Sequence, residues 1–196
     1  MSATPRLVLA SASPRRRELL TGLGLEFEVR PVDVDETPRE NEEPKAFVER
    51  LAREKSQARV DSGEAVLAAD TIVTIDDRLL GKPRDDADAA AMLRRLSGRS
   101  HEVLTGVALA SDRGEPACAI ARTEVRFAPL SEDEIAWYVA SGEPRDKAGA
   151  YAIQGLGAHF VESISGNYSN VVGLPLPTVY RLLGEAGIDL IALGRR

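Results

Sequence analysis

The segment Leu7-Val8-Leu9-Ala10-Ser11-Ala12-Ser13-Pro14-Arg15-Arg16-Arg17-Glu18-Leu19-Leu20 restricts this chain to folds in which a strand passes directly into a helix. Leu7 to Ala10 is a short apolar run of strand type. Ser13-Pro14 is a helix start: a hydroxyl in capping position, then a proline whose missing N–H is not needed in the first turn. The three arginines that follow are unusual there. A helix N-terminus is already positive, and its favoured side chains are Asp and Glu. The segment therefore has the parts of an anion cradle, with the hydroxyls of Ser11 and Ser13, first-turn amides and guanidiniums able to fork onto phosphate oxygens. The competing reading is an exposed helix whose arginines face water.

Beyond it, strand-like and helix-like stretches alternate without an internal repeat, which is an α/β pattern. The first helix is expected to stop near Gly22 and Gly24, and Glu26–Val29 to form a short strand. An acidic loop, Pro31-Val32-Asp33-Val34-Asp35-Glu36, follows. Its carboxylates are either solvated charge or part of a Mg²⁺ site, since that ion is commonly held by one or two carboxylates plus substrate phosphates. Ala46–Val60 has helical spacing with Phe47, Leu51 and Ala58 on one stripe. Lys55 lies on that stripe, so it either snorkels to the helix edge or points into a pocket. Val66–Ile75 is an apolar strand run, interrupted by Asp70, that leads through an Asp76-Asp77 turn to Gly81-Lys82-Pro83. A carboxylate inside an apolar strand must be neutralised, paired or bound to metal, and such groups concentrate in active sites. Lys82 is a candidate partner for it.

A helix is expected over Asp85–Leu96, and two strands over His101–Ala110 and Cys118–Phe127, joined through Ser111-Asp112-Arg113-Gly114. These two read as an antiparallel pair with one wet face. Ser131 and Glu134 form a capping box that opens a helix to about Ala140. The last third is dense in glycine from Lys147 to Gly157. A strand around His159–Ile164, a polar loop Ser165–Asn170 and a final helix from near Pro177 to Gly187 complete the chain. Neither His101 nor His159 has a motif partner, and both read as structural.

Composition narrows the function. With 25 Lys+Arg against 31 Asp+Glu, the net charge of -6 leaves no general basic field for nucleic acid or an acidic membrane. The single Cys118 excludes an intramolecular disulfide and a thiolate metal cage. No run approaches the roughly 20 apolar residues of a spanning helix, and no signal core opens the chain, so a cytoplasmic protein is expected. The phosphate-loop, H-E-x-x-H and G-x-S-x-G motifs are absent. A helix-end cradle, a buried acid and scattered lysines suit metal-assisted attack of water on phosphate better than covalent catalysis.

Taken in order, Ser11-Ala12-Ser13-Pro14-Arg15-Arg16, Ala69-Asp70-Thr71-Ile72-Val73, Gly81-Lys82-Pro83, Leu96-Ser97-Gly98, Lys147-Ala148-Gly149-Ala150-Tyr151, Ile153-Gln154-Gly155 and Gly173-Leu174-Pro175 resemble the successive motifs of the Maf family of nucleoside triphosphate pyrophosphatases. The resemblance covers nearly the whole chain. It implies a single domain over residues 1–196 with an elongated, two-lobed, mixed-sheet α/β fold similar to that of inosine triphosphate pyrophosphatases. It also implies a nucleotide cleft between the lobes, a divalent cation (Mg²⁺ or Mn²⁺), a homodimer, a house-cleaning role and a historical link to septum formation. Asp-Thr at 70–71 with Ile-Gln-Gly at 153–155 is similar to the branch acting on dTTP and UTP. The branch acting on 7-methyl-GTP has Glu in place of Gln154. The resemblance makes Asp70 the proton acceptor and Arg15, Thr71 and Gln154 the specificity positions. It places Ser11, Ser13, Arg16, Lys55 and Lys82 around the phosphates, and Glu36 with Asp70 in the metal shell. Two alternatives differ in what they require: a 7-methyl-GTP pyrophosphatase, against which Gln154 argues, and a non-catalytic nucleotide-binding regulator of cell division, which would not need Asp70.

Overall fold

The computed structural model describes residues 5–76, 78–112 and 114–194, apart from the side chain of Ala192. Asp77 and Arg113, which the sequence assigns to turns, lie outside the described residues. The chain forms two compact units, the first from Met1–Asp70, Thr105–Ala121 and Gly173–Arg196, the second from Thr71–Leu104 and Arg122–Val172.

In the first unit, strand β1 (Arg6–Leu9) runs into helix α1 (Pro14–Gly22) as expected. Strand β2 (Glu28–Val29) lies parallel to β1. Helix α2 (Pro44–Gln57) begins and ends earlier than the Ala46–Val60 expected from spacing. Pro44 presets the backbone for its first turn, and Ala58 is exposed at its C-cap rather than on the buried stripe. That stripe is Phe47, Val48, Leu51, Ala52, Lys55 and Ser56. Strand β3 (Glu64–Ile75) is parallel to β1 on its other side. Successive strand residues point to opposite faces. Leu7 and Leu9 of β1 therefore join Ala65, Leu67 and Ala69 of β3 in the larger core, with Leu20, Val107, Leu174 and Leu182. Val8, Ala10, Val66 and Ala68 form a second cluster, and the same alternation assigns Asp70 to their face.

Strand β4 (Arg78–Leu80) follows the Asp76-Asp77 stretch expected as a turn and pairs antiparallel with β3, with Val73 opposite Leu80, in a stretch to which the sequence pattern assigns no element. Helix α3 (Asp86–Leu96) is capped by Asp85, which accepts from the Asp88 N–H. Strands β5 (Ser100–Ser111) and β6 (Ala117–Phe127) follow, and helix α4 (Glu132–Ala140) opens with the expected capping box. Strand β7 (Val161–Ser165) starts later than expected because His159 and Phe160 close a 3₁₀ turn, Gly155–Phe160. The polar loop holds a short helix, α5 (Tyr168–Val172), and the chain ends through α6 (Leu176–Glu185) and α7 (Leu190–Leu193), the last unexpected.

The sheet is mixed and seven-stranded, in the order β2-β1-β3-β5-β6-β7 with β4 on β3. Strands β3, β5 and β6 carry residues of both units. One glycine governs how closely α2 packs: a Cβ on Gly106 of β5 would lie 2.2 Å from the Val48 carbonyl oxygen. The second unit has its own core of Val73, Leu93, Leu96, Val125, Phe127, Ile135, Tyr138 and Phe160. His101 sits in it, edge-on to Phe127 and Tyr151 at 5.0 and 5.3 Å between ring centroids, in keeping with a structural role. Among the described residues no helix is long and apolar enough to cross a membrane.

Candidate functional site

Where β1 gives way to α1, both expected hydroxyls are present, but neither bonds a first-turn amide of the helix. Ser13 occupies the N-cap position, yet its side chain makes no cap bond. Ser11 supplies the local acceptor instead: its Oγ takes the Ser13 N–H at 3.2 Å and Arg16 Nη1 at 3.2 Å. Arg16 also donates from Nε to the Gly173 carbonyl at 2.8 Å and from Nη1 to the Ala69 carbonyl at 2.6 Å. The residue that reads as a phosphate ligand is thus also a clasp joining α1, β3 and the segment before α6. Burial pulls its pKa below the ordinary arginine value; the charges of Asp70 and Glu36 act against that pull and Arg15 reinforces it.

Lys55 does not snorkel. Its Nζ lies 2.7 Å from Asp70 Oδ1 and 2.5 Å from Glu36 Oε1. The side chains of Lys55 and Asp70 are 10% and 12% exposed, whereas that of Glu36 is 54% exposed. The partner of Asp70 is therefore Lys55, and Lys82 is exposed on the turn after β4. Withdrawing a carboxylate from water costs several kcal/mol, and an ammonium at contact distance offsets that cost. The two carboxylates converge on a single cation position. This is the donor set that suits a small divalent cation whose remaining ligands are phosphate oxygens and water. Among the described residues no group of three or more His, Cys, Asp or Glu could hold a metal by itself.

Glu36 belongs to an irregular stretch between β2 and α2, so its position depends on what pins that stretch. Arg50 of α2 does so. Its Nε and Nη2 meet the Glu42 carboxylate at 2.6 and 2.7 Å, and Nη2 also donates to the Thr37 carbonyl at 3.2 Å. These bonds hold the Glu42 carboxyl well below its usual range, at about 2. Asp35 accepts from the Thr37 N–H at 2.9 Å and closes the turn after Glu36. One helix thus carries Lys55 and, five residues earlier, the anchor for Glu36. Neither Arg50 nor Glu42 stands out in a chain with 29% charged residues.

The first unit therefore gathers Ser11, Arg16, Glu36, Lys55 and Asp70, with Ser13 and half-buried Arg15 at the start of α1. Thr71, Lys82 and Gln154 belong to the second unit. Thr71 follows Asp70 in β3 and is half-buried. Gln154 is exposed at the head of the 3₁₀ turn Gly155–Phe160, and its side chain does not cap that turn.

The chain is similar to proteins of known kind over nearly its whole length. It is 58% identical over 189 residues to the dTTP/UTP pyrophosphatase of Anaeromyxobacter dehalogenans (strain 2CP-C), covering 95% of this chain and 96% of that one. It is 56% identical over 192 residues to the dTTP/UTP pyrophosphatase of Shewanella oneidensis, covering 93% and 98%. Among solved structures, a HAM1 protein from Coxiella burnetii matches with a TM-score of 0.50 and 21% identity over 92% of this chain and 99% of that one, a likeness of fold alone. The family model described as Maf-like protein matches residues 6–186, from the start of β1 to just past α6. A match of that extent takes in both units, and the chain belongs to the Maf-like protein family.

Proposed function

We propose that this protein hydrolyses dTTP and UTP to the nucleoside monophosphate and pyrophosphate, with Asp70 as the general base. The observation that carries the reading is Asp70 itself, a carboxylate withdrawn from water at the end of an apolar strand segment and kept there by Lys55. Relatives more than half identical to this chain that bear the name dTTP/UTP pyrophosphatase support the same activity. Asp70 takes the proton of a water as its oxygen bonds to the α-phosphorus; the bond from that phosphorus to the bridging oxygen breaks, and pyrophosphate leaves. Lys55 and Arg16 offset the charges of Asp70 and Glu36, and Arg15 adds a further positive charge nearby, so that a triphosphate meets less repulsion here than the net charge of -6 would give.

Glu36 and Asp70 would hold the divalent cation. Mg²⁺ or Mn²⁺ there would neutralise phosphate charge and polarise the phosphoryl oxygens. Following the family pattern, we assign Ser11, Ser13 and Lys82 to the phosphates and Arg15, Thr71 and Gln154 to base choice. The test is pyrophosphate release from a panel of nucleoside triphosphates with Mg²⁺ or Mn²⁺. Release is expected to be fastest from UTP and dTTP. Orthophosphate as the product, or a preference for 7-methyl-GTP, would overturn the reading.

A further inference from the structure

Helix α4 ends at Ser141-Gly142, where Gly142 takes a φ of +76° and turns the chain into a 3₁₀ segment, Glu143–Asp146. The Glu143 carboxylate then receives a convergent set of donors. Its Oε1 accepts from Tyr138 O–H at 2.8 Å and from the Gly157 N–H at 3.0 Å, and its Oε2 accepts from the Leu156 N–H at 3.0 Å. The Tyr138 oxygen in turn accepts from the Ala152 N–H at 3.1 Å. Backbone amides on both sides of Ile153-Gln154-Gly155 thus end in one phenol–carboxylate pair. Two glycines make room for it. A Cβ on Gly155, whose φ is +76°, would lie 2.5 Å from Glu143 Oε2, and one on Gly157 would lie 2.6 Å from the Tyr138 oxygen. Tyr138 is fully buried and edge-on to Phe160 at 5.0 Å, so the pair is rooted in the core of the unit. Gln154, at the centre of this frame, is exposed and does not cap its own turn.

We propose that Glu143, acting with Tyr138, is the positioning residue for base recognition: the pair fixes the backbone that presents the Gln154 amide to the pyrimidine edge. The inference rests on the assignment of Gln154 made above. An amide offers one donor side and one acceptor side, which match the adjacent N–H and carbonyl of uracil. Discrimination then depends on the wrong base leaving polar groups unpaired, and an amide free to swing would find partners on either base. Bonds from neutral N–H groups to a carboxylate are the strong kind, and Glu143 uses them to hold backbone rather than substrate. Losing the brace should therefore lower selectivity more than turnover.

The experiment measures kcat and KM for UTP and 7-methyl-GTP in wild type, Glu143→Gln, Tyr138→Phe, Gln154→Ala and the Glu143→Gln/Gln154→Ala double variant, with amide exchange at Leu156 and Gly157 followed by mass spectrometry. Glu143→Gln is expected to reduce the UTP preference roughly tenfold, at the low end of what a misplaced polar contact costs. The change should lie mainly in KM for UTP and be accompanied by faster exchange at both amides. The double variant should be no less selective than Gln154→Ala alone. An equal loss on both substrates, or an unchanged preference despite faster exchange, overturns the proposal and leaves Glu143 as scaffold. If Gln154→Ala alone keeps full selectivity, the assignment of Gln154 is what has failed. Should Glu143→Gln not fold by circular dichroism, Tyr138→Phe, which removes only the phenol's bonds, is judged by the same outcomes.

Discussion

Asp70 in the first unit and Glu143 in the second are both carboxylates drawn back from water, yet their partners differ in kind. Asp70 faces a cation, Lys55, that it shares with Glu36. Glu143 is held by two backbone N–H groups and a phenol. Burial raises the pKa of Glu143, but its hydrogen bonds from Gly157, Leu156 and Tyr138 outweigh burial and keep the carboxyl below its usual value. A charge pair can be re-made when a ligand brings phosphates and a cation of its own. The amide of buried Gly157 has little access to another acceptor, and leaving such a group unpaired costs roughly 1–3 kcal/mol. The first arrangement suits a group that must exchange partners and protons; the second suits one that must not move.

The largest expected effect breaks the first arrangement at its base. Asp70→Asn should fold and bind nucleotide while kcat for UTP falls about 10²–10⁴-fold, the usual cost of losing a positioned base. Near-normal kcat in steady-state pyrophosphate assays would move the base elsewhere in the site. Next comes the partner. Removing one member of a buried pair typically costs 3–5 kcal/mol, and because Glu36 can turn to water, the cost of Lys55→Met should be about 3 kcal/mol, from Asp70 alone. Urea denaturation checks this, and the double variant Lys55→Met/Asp70→Leu should regain most of the stability without activity. A single-variant loss below about 1 kcal/mol, the range of surface pairs, would mean that pairing does not hold Asp70 in place.

The second unit contains a titratable group with no charged partner among the described residues, and acid should find it. His101 Nε2 lies 2.8 Å from the Tyr151 hydroxyl, while its Nδ1 is buried without a partner among the described residues. Burial lowers its pKa from 6.5 to about 4. Below pH 6.5 the unfolded chain takes up a proton that the folded ring refuses until about pH 4. Stability from the neutral ring is therefore complete above that window and lost as pH falls through it, by roughly 3 kcal/mol in all. Denaturation midpoints between pH 6.5 and 5 should fall more steeply in wild type than in His101→Gln, before the carboxylates held low by arginine begin to protonate. Parallel slopes would remove His101 from the account.

The smallest effect probes recognition without touching either carboxylate. Gln154→Glu should lower kcat/KM for UTP and dTTP at least about tenfold, equivalent to roughly 1.4 kcal/mol, while sparing 7-methyl-GTP and leaving the melting temperature unchanged. Equal losses on pyrimidine and methylated purine substrates would return Gln154 to a structural role.

Much of this was written in local sequence. The passage from Leu9 through Pro14 into α1, the burial of Asp70 within an apolar run, and the Ser131–Glu134 capping box all appear where spacing and propensity point to them. Each depends on steric preferences and periodicity within about one turn or one strand, so neighbouring residues suffice to specify it. Even there, Ser13 takes the N-cap position that spacing points to but its side chain makes no cap bond, while Ser11 accepts the Ser13 N–H across a turn that spacing alone does not describe.

Pairing of the charges was decided only by tertiary structure. Any of 25 Lys and Arg side chains could have answered Asp70, and nearby Lys82 is closer along the chain than Lys55. The choice fell to Lys55 because α2 packs tightly enough, over Gly106, to aim its buried stripe at the face of β3 that carries Asp70. Arg16 grips carbonyls at Ala69 and Gly173, 53 and 157 residues away, and Glu143 grips amides 13 and 14 residues on. Hydrogen bonds and ion pairs act over a few ångströms. Sequence patterns determine which segments form and which faces are buried; the approach of those faces to within that reach is a property of the assembled fold.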